Sequence, residues 1–297
     1  MNIVFMGTPE FSLPTLHKLY ESDHDVLLVV TQPDRPKGRG RESTPPPVKQ
    51  FALEKKIPVL QPIKCTNLEI VKTLGALNAD VFIVVAFGQI LDKNLLALPH
   101  HFCINLHSSL LPKYRGAAPI NWAIINGETE TGVTTMKMNA GLDTGDILLS
   151  RKVPIRNKDD AQSLHDTLAH QGSSLVMETL NQLDSGSLEA TSQNSDLASY
   201  APKLKKEDGL IKWNQPAVKI HNLVRGLTPW PGAFSFLGSK RFKICKTETK
   251  SCDLTDQPGV ILRISGHGIE VGTQKERIVI TELQPEGKNK MDVKSFL

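Results

Sequence analysis

Cysteine is scarce and scattered in this 297-residue chain. Cys65, Cys103, Cys245 and Cys252 form no CxxC pair and have no histidine at metal-ligand spacing. Reduced thiols and no bound metal are therefore expected. The adjacent pair His100 and His101 does not change this, because neighbouring side chains on one element diverge. No apolar run approaches the ~18 residues that cross a bilayer, which excludes a membrane-spanning helix. The opening Met1-Asn2-Ile3-Val4-Phe5-Met6-Gly7-Thr8-Pro9 lacks the basic segment, apolar core and cleavage site of a secretory signal, so a mature cytoplasmic chain is expected. An excess of one charge is lacking too: 35 Lys and Arg face 31 Asp and Glu, and the net +4 does not by itself imply nucleic acid. Neither G-x-G-x-x-G nor G-x-x-x-x-G-K-[ST] occurs, which argues against NAD and ATP.

What is present reads as a folded, two-domain chain: 39% hydrophobic and 22% charged residues over a length suited to two ordinary domains. In the first half, short apolar runs at residues 2–6, 26–30, 57–60 and 81–85 alternate with helical stripes at 9–20 and 68–77. Strands apolar on both faces and separated by helices imply a doubly wound, mostly parallel α/β sheet covered on both sides. A long helical pattern covers 161–183. The Ser-, Asn- and Thr-rich stretch that follows reads as a linker, giving a first domain at 1–186, a linker at 187–206 and a second domain at 207–297. Beyond it, a helix opening at Pro216 is broken by Thr228-Pro229-Trp230-Pro231-Gly232. Short strands then follow at 233–237, 241–246, 260–265, 268–272 and 277–283, a pattern that suggests a small OB-like β-barrel.

Residues 102–109 alternate with period two, which places Cys103, Asn105 and His107 on one face of a strand and Phe102, Ile104 and Leu106 on the other. Ligands of open α/β sheets bind at the C-terminal ends of the strands. An amide beside an imidazole at such an end suits oxyanion stabilisation with proton transfer nearby. The alternative is a polar strand end that caps neighbouring backbone. The glycine-rich turn Asn139-Ala140-Gly141-Leu142-Asp143-Thr144-Gly145-Asp146 supplies a carboxylate to orient the imidazole, and spacing leaves Asp143 and Asp146 both open.

The run Asn105-x-His107-x-Ser109-Leu110-Leu111-Pro112, with Gly141-Leu142-Asp143-Thr144-Gly145-Asp146 after it, resembles the signature of the folate-dependent formyltransferases. The one departure is Ser108, where relatives often carry Gly or Ala. The resemblance implies a catalytic trio of Asn105, His107 and Asp143. It also implies a tetrahydrofolate site lined by Ser109, Leu110, Leu111 and Pro112, with the pterin ring near Ala86-Phe87-Gly88-Gln89. The formyl donor would be 10-formyltetrahydrofolate as co-substrate, with no metal. The transfer would be direct, through a tetrahedral intermediate whose oxyanion Asn105 and a protonated His107 stabilise.

The trio does not choose the acceptor amine. Residues 32–47 form a basic loop punctuated by Gly and Pro, with Arg35, Lys37, Arg39 and Arg41 in seven positions, a density suited to RNA phosphates. The loop resembles the insertion by which the methionyl-tRNA branch of the family engages the acceptor stem, with Arg39 at the best-matching position and Arg41 beside it. Lys203, Lys205, Lys206, Lys240, Arg241, Lys243 and Lys246 make the linker and second domain locally basic. The resemblance runs nearly end to end and implies methionyl initiator tRNA as partner; a monomer is expected as the working form. An amino-sugar formyltransferase and a non-catalytic RNA-binding scaffold are the rivals.

Overall fold

In the computed structural model, residues 1–37, 42–252 and 256–297 are described. The first sheet is built from β1 (Asn2–Gly7), β2 (Asp25–Val30), β3 (Val59–Leu60), β4 (Val81–Val85), β5 (Cys103–His107), β6 (Glu130–Lys137) and β7 (Ile147–Pro154). Their order is β7-β6-β5-β4-β1-β2-β3. The ladders β1–β2, β1–β4, β2–β3 and β4–β5 are parallel, and β5–β6 is antiparallel. From β1 the chain winds outwards through β2 and β3, then crosses back to β4 on the other side. The crevice at that reversal is where such sheets take ligands.

The apolar runs form the buried strands because both sheet faces are covered. Ile3, Phe5, Phe82, Ile83 and Val85 are fully buried. On one side Val4, Met6, Leu28, Phe82, Val84 and Leu95 share a core with Leu74 of the helix Leu68–Gly75. Gly7 replaces a dinucleotide fingerprint with a tight exit from β1, since a Cβ there would stand 2.7 Å from the Phe5 ring and 2.9 Å from Ser12 Cβ. The helix expected at 9–20 begins as a 3-10 turn, Glu10–Ser12, and becomes α-helical over Leu13–Tyr20. Pro14 sits in its first turn, where a missing N–H costs nothing.

Compactness divides the chain at Tyr200/Ala201, inside the stretch read as a linker. Two earlier segments, Ala117–Thr131 and Pro154–Leu164, group with the later residues. The first of these carries the helix Pro119–Ile125, which the sequence reading did not single out. It packs closely on the helix Ala217–Gly226: Asn121 Nδ2 donates to the Gly226 carbonyl at 2.8 Å, and a Cβ on Gly226 would meet Ile125 at 2.6 Å.

The later unit carries an antiparallel sheet of β8 (Ala233–Leu237), β9 (Lys240–Lys250), β10 (Ile261–Ser265), β11 (Gly268–Gly272), β12 (Arg277–Pro285) and β13 (Met291–Asp292). The order is β8-β9-β12-β11-β10, with β13 paired to β12. Its core joins Ile220 and Val224 of the helix Ala217–Gly226 to Ile244, Ile269, Val271, Ile278, Ile280 and Leu283. Strand β9 runs four residues past the expected 241–246. The pairing of Thr247, Glu248, Thr249 and Lys250 with Ile280, Val279, Ile278 and Arg277 carries the strand on through a segment in which two threonines favour a strand and Glu248 and Lys250 do not. Among the described residues no helix is long and apolar enough to cross a membrane.

Candidate active site

Strand β5 sets the first two groups. Leu106 points towards Gly172 of the helix Ala161–Asp184, where a Cβ would stand 2.6 Å from Leu106 Cδ2. The other face therefore carries Cys103, Asn105 and His107. In the β5–β6 ladder Asn105 lies opposite Met136, and His107 opposite Thr134. Cys103 is inert on this face, because burial pushes its thiol up to about 12. The Asn105 side chain is half-buried and has no hydrogen-bond partner among the described residues.

His107 is buried, with Nε2 2.9 Å from the Tyr114 carbonyl and Nδ1 3.8 Å from Asp143 Oδ2. A carbonyl only accepts, so Nε2 must carry a proton. Nδ1 is thus the ring nitrogen left to face a reacting group. The second gap is too long for a hydrogen bond and within ion-pair range. Of the two candidate carboxylates, the structure brings Asp143 to the imidazole. Asp146 turns to Ser192, whose Oγ donates to Asp146 Oδ1 at 3.0 Å.

Three consecutive residues hold this arrangement. The Tyr114 carbonyl takes His107 Nε2, the Gly116 N–H donates to Asp143 Oδ2 at 2.8 Å, and between them the buried Arg115 side chain reaches Gln193. A carbonyl and an N–H this close in sequence serve one site because the backbone is bent out of the ordinary regions: φ is +61° at Tyr114 and +118° at Gly116. Ser199 fixes the segment from outside, with its hydroxyl accepting from Tyr114 N at 2.9 Å and its carbonyl from Arg115 N at 2.8 Å. None of these partners was singled out as a site residue from the sequence.

The Ser109–Pro112 loop precedes this segment and is internally satisfied. Ser109 is fully buried and donates to the Lys113 carbonyl at 2.6 Å. Thr134 Oγ1 donates to the Ser109 carbonyl at 2.7 Å and accepts from Leu111 N at 3.2 Å. Leu111 is buried, Leu110 and Pro112 are half-buried, and Leu110 packs on Gly132 of β6. Near Ala86–Gln89, the Phe87 carbonyl accepts from Thr8 Oγ1 at 3.1 Å and Gln32 Nε2 at 3.2 Å. That carbonyl ties the ends of β1, β2 and β4 together. Gln89 crosslinks to the segment after β3, accepting from Cys65 N at 2.8 Å and donating to the Pro62 carbonyl at 2.9 Å.

Of the basic loop, the structure describes a short antiparallel ribbon, Arg35–Lys37 against Glu42–Thr44. Arg39 and Arg41 lie outside the described residues. The foot of the loop is pinned by Asp34, held below the usual carboxylate range by the Gln61 amide and by Lys49 Nζ at 2.7 Å. Among the described residues no cluster of three or more His, Cys, Asp or Glu could hold a metal ion.

The architecture is that of a doubly wound α/β domain with polar groups at the carboxyl ends of its strands, followed by a small antiparallel domain. The chain belongs to the formyl transferase family: the model described as formyl transferase matches residues 1–180, and the one described as formyl transferase, C-terminal domain, matches residues 203–297. It is 53% identical over 297 residues to the methionyl-tRNA formyltransferase of Geobacter sulfurreducens, covering 100% of this chain and 93% of that protein. Among solved structures, WlaRD, a sugar 3N-formyl transferase crystallised in the presence of dTDP and 5-N-formyl-THF, matches with a TM-score of 0.71 at 20% identity, covering 97% of this chain and 99% of that one. The methionyl-tRNA formyltransferase of Clostridium thermocellum matches with a TM-score of 0.58 at 19% identity, covering 84% and 94%. At these identities the solved structures establish the fold alone.

Proposed function

We propose that the chain, acting as a cytoplasmic monomer, transfers the formyl group of 10-formyltetrahydrofolate to the amino group of methionine carried by initiator tRNA. The observation that carries the acceptor is likeness over the whole chain: 53% identity to a curated methionyl-tRNA formyltransferase, against 20% to a sugar formyltransferase of similar fold. The folate donor is supported by family membership and by the solved relative crystallised with 5-N-formyl-THF.

The chemistry follows from the groups at the end of β5. The methionine amine attacks the formyl carbon, the new C–N bond forms, and the carbonyl oxygen becomes an oxyanion. The Asn105 amide and His107 Nδ1–H donate to it, which stabilises the charge where it develops. Collapse breaks the bond to the folate nitrogen. That nitrogen gains one proton while the amine loses one, so the step is balanced. Nδ1 is the ring atom through which the proton passes, because Nε2 is committed to the Tyr114 carbonyl. Asp143, 3.8 Å from Nδ1, stands on the side of the ring that faces the reacting groups. Ser109–Pro112 and Ala86–Gln89 flank the donor, while Arg39, Arg41 and the exposed Lys203, Lys205, Lys206, Lys240 and Lys246 meet RNA phosphates.

The test offers labelled 10-formyltetrahydrofolate with Met-charged initiator tRNA, Met-charged elongator tRNA or a nucleotide-linked amino sugar. Label on the initiator tRNA alone is the expected result. Label on the sugar would overturn the acceptor, and label on none of them would overturn the reaction.

A further inference from the structure

We propose that Gln193 is a positioning residue for formyl transfer: its side-chain amide sets the turn that carries Asp143, and Arg115 sets the amide. The inference rests on the reading of Asp143 as part of the reacting site.

Gln193 lies in the Ser- and Asn-rich stretch after the long helix, far in sequence from the site. Arg115 Nε and Nη2 both donate to its Oε1, at 3.1 and 2.8 Å. Both are N–H donors, so the oxygen must face the guanidinium and the NH2 must face away. The NH2 then donates to two carbonyls of the catalytic turn, Asp143 O at 2.9 Å and Gly145 O at 2.7 Å. Both amide protons are used, and the amide has one orientation that satisfies every partner. Arg115 is itself only 3% exposed, so its fork is a fixed reference.

The two ends of Asp143 are thus held from adjacent residues. Gly116 N–H holds the carboxylate, and Arg115, through Gln193, holds the main chain. The turn needs such a hold, because Asp143 has a φ of +51° that side-chain-bearing residues rarely adopt. The same stretch zips along the turn beyond Gln193. Thr191 and Ile147 exchange two backbone hydrogen bonds at 2.8 Å, and Ser192 caps Asp146. Gly145 completes the fit, since a Cβ there would collide with the Lys137 carbonyl oxygen.

Gln193→Glu separates the two halves of the amide. It still accepts from Arg115, but it meets the carbonyls of Asp143 and Gly145 with an oxygen instead of two protons. Misplacing the carboxylate by about an ångström is expected to lower kcat on the order of 10²-fold, with KM for both substrates nearly unchanged. Gln193→Met, matched in length and unable to donate, should do the same if the Glu variant unfolds; thermal melts identify which variant to use. The pH profile of kcat should change shape in the folded variant, because the carboxylate beside His107 has moved. In an Asp143→Asn background the Gln193 substitution should cost little more, since the two act as a unit.

A folded Gln193 variant with wild-type kcat and pH profile, beside an Asp143→Asn protein that has lost turnover, would overturn this inference and leave the proposed reaction intact. So would a fully additive loss in the double variant. Wild-type turnover in Asp143→Asn would overturn the reading on which the inference rests.

Discussion

The polar groups around the candidate site in the first compact unit are used differently from those on the sheet of the second. In the first, buried and half-buried side chains reach main-chain groups around one point: His107 to the Tyr114 carbonyl, Asp143 to the Gly116 N–H, Gln193 to two carbonyls. In the second, the strong polar contacts pair charge with charge along the sheet, Lys250 with Glu270 at 2.7 Å and Arg277 with Asp256 at 2.6 Å. Backbone conformation divides the same way. Lys56, Asn78, Ala86, Tyr114 and Asp143 adopt positive φ in the first unit, the last three at or near the site, whereas in the second Glu276 alone among the described non-glycine residues does so, in a turn between strands. Unusual backbone persists where surrounding contacts over-determine it, and it clusters where geometry has chemical consequences. The first unit is built for position and the second for packing.

That difference is broken most severely at His107. Its replacement by Ala removes the proton-carrying ring and should lower kcat about 10²–10⁴-fold with the fold intact, as measured by single-turnover formyl transfer alongside circular dichroism. In the second unit the corresponding blow is apolar. Ile280 is 5% exposed in its core, and Ile280→Ala should lower stability by about 2–5 kcal/mol in urea unfolding while the chemistry of the remaining folded protein is unchanged. Gly116→Ala belongs to the first unit and should be felt in both measurements. Its φ of +118° makes the substitution strained by about 1–3 kcal/mol, and the displaced N–H releases Asp143.

The smallest effect concerns pH. Burial, with Arg225 nearby, holds His221 below the ordinary imidazole value, so its folded-state pKa lies below its unfolded one. Just beneath the unfolded value the unfolded chain binds more protons, and stability falls as pH drops through that window. His221→Gln should flatten that limb of a urea-midpoint titration. An unchanged acid limb would mean that burial of this ring has no share in it.

Much of this was legible from side-chain pattern. The period-two alternation placed Asn105 and His107 on one face of a strand, and apolar runs separated by helical stripes gave the doubly wound sheet. Spacing alone left Asp143 and Asp146 both open, because they sit on one short loop and only its backbone path tells them apart; it was the family resemblance that implied Asp143. The hold on the site was not legible. Tyr114 and Gly116 act through a carbonyl and an N–H that every residue possesses, so no composition reveals them; Gly116, after the proline of the preceding loop, was the one faint signal. Gln193 lay in a stretch whose Ser, Asn and Thr content reads as linker, and its role depends on long-range packing. The helix Pro119–Ile125 escaped because its seven residues follow directly on that loop and give too short a periodic stripe.

The central claim is that the Tyr114–Gly116 segment fixes the state and direction of His107. The most direct test is ¹⁵N NMR of the imidazole through a pH titration. The account predicts that in the neutral ring the proton sits on Nε2, against the Tyr114 carbonyl, and that Nδ1, facing Asp143, is bare. A neutral ring with its proton on Nδ1 and a bare Nε2 would contradict it, because the Tyr114 carbonyl would then have no donor and the segment could not be what aims the ring.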